Sequence, residues 1–149
     1  MTITRYDPNT IFLGGTKTDQ SDLAASEAIT PGHLVEKFNS AGTIRWRKCT
    51  NTTANKSMGH TVALNHPMAN KGVDDAYAAG DLVEVGVGHV GSQFWMLIAS
   101  GQVLTAGAAL ESAGNGTLRA FSTGAVLFTA DENKTAADTG QTRIRVTVA

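Results

Sequence analysis

The sequence predicts an all-β protein: a small β-barrel or sandwich built from short hairpins, with an extended N-terminal arm. Three observations carry this. A glycine-led pattern recurs as Gly32-His-Leu-Val-Glu36, Gly80-Asp-Leu-Val-Glu84 and Gly107-Ala-Ala-Leu-Glu111. Eight short strand-like segments succeed one another with turn residues between them, the spacing of sandwiches and barrels. The chain also holds 16 glycines but only 17% charged residues, below the roughly 25% of ordinary soluble domains. In the repeat the glycine supplies a turn's positive φ, and the apolar residues after it enter a sheet.

Residues 1–31 form the expected arm. Isolated apolar residues (Ile3, Tyr6, Ile11, Phe12 and Leu13) stand among Thr, Asp and Gln without a sustained period. Within it, Ser21 or Asp22 is placed to cap one short helical turn reaching Ala28, which is marginal on its own. Pro31-Gly32 ends the arm and opens the β domain, residues 32–149.

The expected strands are Leu34–Phe38, Thr43–Lys48, Thr61–Leu64, Leu82–Val87, Gln93–Ala99, Gly116–Phe121, Ala125–Ala130 and Thr142–Val148. In the last, alternation puts Ile144, Val146 and Val148 toward the core and Arg143, Arg145 and Thr147 toward solvent. Ile44 and Trp46 follow the same rule between Thr43, Arg45 and Arg47. Phe94-Trp-Met-Leu-Ile98 is apolar throughout, so both its faces should be covered. Around Ala41-Gly42 and around Gly114 to Gly116, a turn followed by Thr, an aliphatic residue and Arg predicts two related hairpins. The polar stretches 49–59, 65–76 and 131–141 read as long loops able to meet neighbours.

Composition narrows the function. One cysteine, Cys49, excludes an intramolecular disulfide and a multi-thiolate zinc site. A net charge of -1 with scattered cations argues against nucleic acid as partner. Neither an export signal nor a run long enough to span a membrane is expected, so the four Asn-x-Ser/Thr triplets, at Asn51, Asn55, Asn115 and Asn133, read as loop composition.

Catalytic and cofactor signals are weak. Gly86-Val-Gly88-His-Val-Gly91 matches a dinucleotide fingerprint, but a strand rather than a helix follows, so a hairpin turn is expected. Cys49 with His60 or His66 lacks an oriented third group, and packing is the better reading. His33, His60, His66 and His89 show no tight ligand spacing, and Asp74-Asp75 and Asp131-Glu132 lie in polar loops. No enzyme activity, metal or cofactor is expected. Glu36, Glu84 and Glu111, the ends of the repeat, are expected at subunit contacts.

Thr30-Pro-Gly-His-Leu-Val-Glu36, Tyr77-Ala-Ala-Gly-Asp-Leu-Val-Glu-Val85, Leu97-Ile-Ala-Ser-Gly101 with Leu104-Thr-Ala-Gly107, and Gly140-Gln-Thr-Arg-Ile-Arg-Val146 resemble the capsid decoration, or cement, proteins of tailed bacteriophages. The resemblance covers most of residues 30–149 and rests on β-turn grammar. It implies a structural virion protein, made in the host cytoplasm and bound to the outer capsid surface, that stabilises contacts between capsomers. The implied partners are the major capsid protein and further copies of the chain, as a trimer or a dimer. Thirty extended residues reach about 100 Å, so Ile3, Tyr6, Ile11, Phe12 and Leu13 are the expected capsid contacts. The alternative is a ligand-recognition β-barrel, such as a carbohydrate-binding or tail-associated adhesion module, using Trp46, Trp95 and Tyr77 as a stacking platform.

Overall fold

A computed structural model describes residues 7–52 and 60–149. These residues are all-β, without an α-helix, and their strands form several small antiparallel sheets that do not close into a barrel. Strands β1 (Phe12–Gly14) and β2 (Lys17–Gln20) precede the hairpin of β3 (Val35–Ser40) and β4 (Thr43–Lys48). Then come β5 (Thr61–Ala63), β6 (Val85–Gly88), β7 (Gln93–Leu97), β8 (Val103–Leu104), β9 (Ala109–Ser112) and β10 (Leu118–Ala120). β11 (Phe128–Ala130), β12 (Lys134–Thr135) and β13 (Arg143–Val148) complete the order. The main sheet runs β1-β7-β13-β11-β9-β10, beside a three-stranded sheet β2-β6-β5 and the pairs β3-β4 and β8-β12.

Each of the eight expected segments overlaps a strand, although β3 and β6 run past the expected ends at Phe38 and Val87. The repeated glycines also do as expected: Gly32, Gly80 and Gly107 have φ of 98°, 94° and 87°. Their amides donate to Ala63 O, Ala25 O and Ala130 O, so each turn is fastened to another part of the chain. Between β3 and β4, Ala41 and Gly42 both take positive φ (51° and 90°), the two-residue turn whose twist matches a hairpin's strands. Asn39 Oδ1 accepts from the Gly42 amide at 2.7 Å.

The period of two divides the apolar residues between two cores. On β5 and just beyond, Val62 and Leu64 pack into the larger cluster with Phe94, Met96, Phe128, Ile144 and Val146. Ala63, between them, faces a smaller cluster of Ala25, Ile29, Val35, Trp46, Tyr77, Val83 and Val85. Leu34 and Val35 divide the same way, so these two short segments form a wall shared by both cores. The apolar run of β7 is covered on both faces, as expected, with Phe94, Met96, Leu97 and Ile98 fully buried.

Four expectations are corrected. The arm does not extend to residue 31: β1 pairs with β7, β2 pairs with β6, and Ile11, Ala25 and Ile29 are core residues. No helical turn forms near Ser21; Ala24 and Ala25 instead bridge Leu82 and Trp46, which satisfies their backbone groups through the sheets. Arg143 and Arg145 are buried, because β13 lies inside the main sheet and loops cover its second face. Arg143 donates to Pro31 O at 3.0 Å, to Val73 O and to Asp74 Oδ1 at 2.8 Å, and it lies over the Trp95 ring. Arg145 pairs with Glu132 at 2.8 Å. Ile44 is exposed because it sits beside the hairpin turn, beyond the edge of the smaller core that holds Trp46.

Candidate functional site

The expected capsid contacts separate. Ile11 is fully buried, its amide donating to Asn65 Oδ1 at 3.0 Å and its carbonyl accepting from Trp95 N at 2.8 Å. Phe12 lies opposite Phe94, ring centroids 5.5 Å apart, and Leu13 packs against the same core. These three hold β1 to its own fold, Ile11 wholly buried and Phe12 and Leu13 half-buried. Ile3 and Tyr6 lie outside the described residues.

The three repeat glutamates sit at equivalent points after their glycines, yet their surroundings differ. Glu36 on β3 faces Arg47 on β4; its carboxylate accepts from Arg47 Nε at 2.7 Å, Thr50 Oγ1 at 2.8 Å and Asn51 Nδ2 at 2.7 Å. Burial raises its pKa, but the bonds from Thr50 and Arg47 outweigh that and leave it below the ordinary value. Glu111 on β9 faces Arg119 on β10 and is completely buried, accepting from Arg119 Nε at 2.8 Å and Gly124 N at 2.6 Å. Burial again pushes upward, and the Gly124, Arg119 and Ser122 donors reverse it. Both carboxylates are therefore used within the chain, tying a hairpin to the loop beyond it. The sequence carried a signal for these pairs, a glutamate entering and an arginine leaving each hairpin. The spacing hid it, because the paired residues lie 11 apart in one hairpin and 8 in the other.

Glu84 differs. It precedes β6 and is half-buried; its backbone carbonyl accepts from Leu64 N at 2.8 Å, but its carboxylate has no hydrogen bond or ion pair from any described residue. It lines two adjoining hollows, of about 430 and 310 Å³, which also share His66. Phe12, Leu64 and Met68 line the first, Leu82 the second. Met68, at the tip of the short 3-10 turn Pro67–Ala69, is 95% exposed, and Leu82 is 62% exposed.

The residues considered for chemistry are not assembled into a site. Cys49 is buried, and burial is the main cause of its raised pKa; its Sγ lies 3.6 Å from Glu36 Oε2, whose charge disfavours a thiolate, and 3.7 Å from both Asn51 O and Ser112 Oγ. Burial, then the charges of Lys48 and Arg143, lowers the His33 pKa to about 4, and its Nδ1 accepts from Thr30 N at 3.0 Å. His60 meets the Phe128 ring edge-on. Among the described residues no three His, Cys, Asp or Glu group as metal ligands, and no helix is long and apolar enough to cross a membrane. The glycine fingerprint forms the end of β6 and a turn at His89 to Gly91. The expected hairpin is not made: β6 and β7 belong to different sheets, so this turn carries the chain from one to the other. Trp46, Trp95 and Tyr77, the platform of the recognition alternative, are 2%, 8% and 1% exposed, which leaves no face on which a sugar ring could stack.

No family model and no curated protein matches the chain. Among solved structures, one similar chain is the N base of the head fiber gp8.5 of bacteriophage phi29, at 12% identity, covering 90% of this chain and 95% of that chain with a TM-score of 0.59. At this identity the likeness is one of fold.

Proposed function

We propose that this chain is a structural virion protein of a tailed phage that seats on the outside of the head and stabilises contacts between capsomers. The observation that carries the reading is the fold shared with the N base of a phage head fiber over nine-tenths of this chain. The turn-grammar resemblance to capsid decoration proteins points the same way. The major capsid protein is the partner, and a homotrimer is the assembly that gives several weak contacts a high effective concentration on the shell. Because Ile11 to Leu13 pack against the chain's own core, any extended reach of the arm falls to residues before Ile11, including Ile3 and Tyr6.

Cosedimentation with shells assembled from the major capsid protein of the same genome tests this. Saturable binding at a fixed ratio to capsid subunits is expected on expanded shells, and deletion of residues 1–6 should weaken it while leaving the circular dichroism spectrum intact. No binding to either immature or expanded shells would overturn the reading.

A further inference from the structure

Of the three glutamates that close the glycine repeat, two are neutralised by an arginine on the neighbouring strand, Arg47 for Glu36 and Arg119 for Glu111. No described residue plays that part for Glu84. Lys17 lines the first hollow with Glu84, but its ammonium pairs with Asp19 and lies 5.1 Å from the Phe12 ring centroid; Lys71 donates to Ala76 O at 3.1 Å with Asp81 3.8 Å away. The unpaired carboxylate sits where two hollows meet, with Phe12, Leu64 and Met68 along one and Leu82 along the other. Large exposed side chains such as Met68 and Leu82 are the kind that an interface covers, and a carboxylate centred among them selects for a cation.

We infer that this groove is the chain's docking surface for the shell, and that its occupant is an extended segment of the capsid protein presenting one arginine or lysine flanked by apolar side chains. The cation completes at Glu84 the pairing that Arg47 and Arg119 complete at the other two positions, and the flanking side chains cover Met68 and Leu82. Arginine fits better than lysine, since its planar fork can bind both carboxylate oxygens. The inference rests on the proposed virion role and adds to it the binding face and the partner's chemistry.

The test compares binding isotherms on shells for the wild-type chain, Glu84→Gln, Met68→Asp and Leu82→Asp, with Val103→Asp as a control at an exposed residue outside the groove. The three groove positions are solvent-accessible and make no described hydrogen bond through their side chains, so the variants should fold, which thermal melting verifies. Expected are a roughly five- to tenfold weaker affinity for Glu84→Gln, at least tenfold weaker for the two aspartates, an unchanged control, and a shallower salt dependence for Glu84→Gln. Wild-type binding that all three groove variants match would overturn the groove and leave the virion role standing. Absence of wild-type binding would overturn the virion role itself. In that case the synthetic peptide Thr-Val-Leu-Arg-Leu-Val-Thr decides the groove: it should shift the Met68 methyl resonance while its Arg-to-Glu counterpart does not, and equal or absent shifts would overturn it.

Discussion

Replacing Glu111 by Gln preserves shape and removes charge at the most buried carboxylate of the chain, so its cost can be worked from its bonds. One oxygen accepts from Arg119 Nε and the other from Gly124 N. Whichever way the Gln amide turns, its NH2 faces one of these donors, leaving a buried donor unmet at about 1–3 kcal/mol. The Arg119 side chain is 38% exposed and returns partly to water, so loss of the charge adds only about 1 kcal/mol. The sum is about 2–4 kcal/mol, a large part of the roughly 5–15 kcal/mol that stabilises a domain. With a urea slope of about 2 kcal/mol per molar, the unfolding midpoint at pH 7 should fall by about 1–2 M. The pH dependence has a definite sign. The folded pKa of Glu111 lies below 4.5, so its contribution is complete above that pH and is lost as pH falls through the folded value. The gap between wild type and variant should therefore narrow in acid. A midpoint shift under about 0.3 M at pH 7, or a gap that does not narrow below pH 4.5, would refute the assignment of Glu111 as the charged anchor of the 122–124 loop.

Three other outcomes are expected. His33, held neutral with a pKa near 4 against 6.5 unfolded, contributes stability above pH 6.5 that disappears as pH falls toward 4; His33→Asn, which keeps an acceptor for the Thr30 amide, should flatten that slope in urea titrations. The Tyr77 hydroxyl donates to Leu64 O at 2.6 Å, so Tyr77→Phe should cost about 1–2 kcal/mol. Burial is the main cause that raises the Tyr77 pKa to about 12, so its contribution is complete below pH 10 and lost as pH rises toward 12; the variant's alkaline melting curve should lack that loss. A Cβ on Gly88 would come within 2.5 Å of Phe94 Cε2 and 2.9 Å of Val148 Cγ2, so Gly88→Ala should lower the calorimetric melting temperature by about 2–12 °C, from an overpacking cost of about 1–3 kcal/mol.

Turn chemistry and alternation made much of this fold readable. Gly32, Gly80 and Gly107 marked real turns, and Ile144, Val146 and Val148 marked a real core face, because positive φ and the two-residue period act locally. What stayed hidden depends on non-local pairing. β2, Lys-Thr-Asp-Gln, has no apolar pattern and is a strand only because β6 offers it hydrogen bonds. Arg143 and Arg145 alternate like solvent-facing residues, but the backbone carbonyls and carboxylates that bury them come from loops distant in sequence. For the candidate site, the repeat identified Glu84 as one of three like positions. The fold shows what separates it from Glu36 and Glu111: neighbouring strands deliver Arg47 and Arg119 to those two, and no described residue does so for Glu84.

The position of β7 in the main sheet has a kinetic consequence. Its five residues, four of them buried and apolar, are bordered by β1 on one edge and β13 on the other. During synthesis β1 emerges first and is ready when β7 appears. The other edge stays open until β13 has been made, about 50 residues later, which at about 5–20 residues per second is several seconds. For that interval the most apolar strand of the chain presents unpaired amides and carbonyls to whatever is near, and nascent chains on neighbouring ribosomes carry the identical edge. Slower elongation or crowded polysomes should therefore divert this protein into aggregates before its last strand arrives, although the finished sheet leaves neither edge of β7 open.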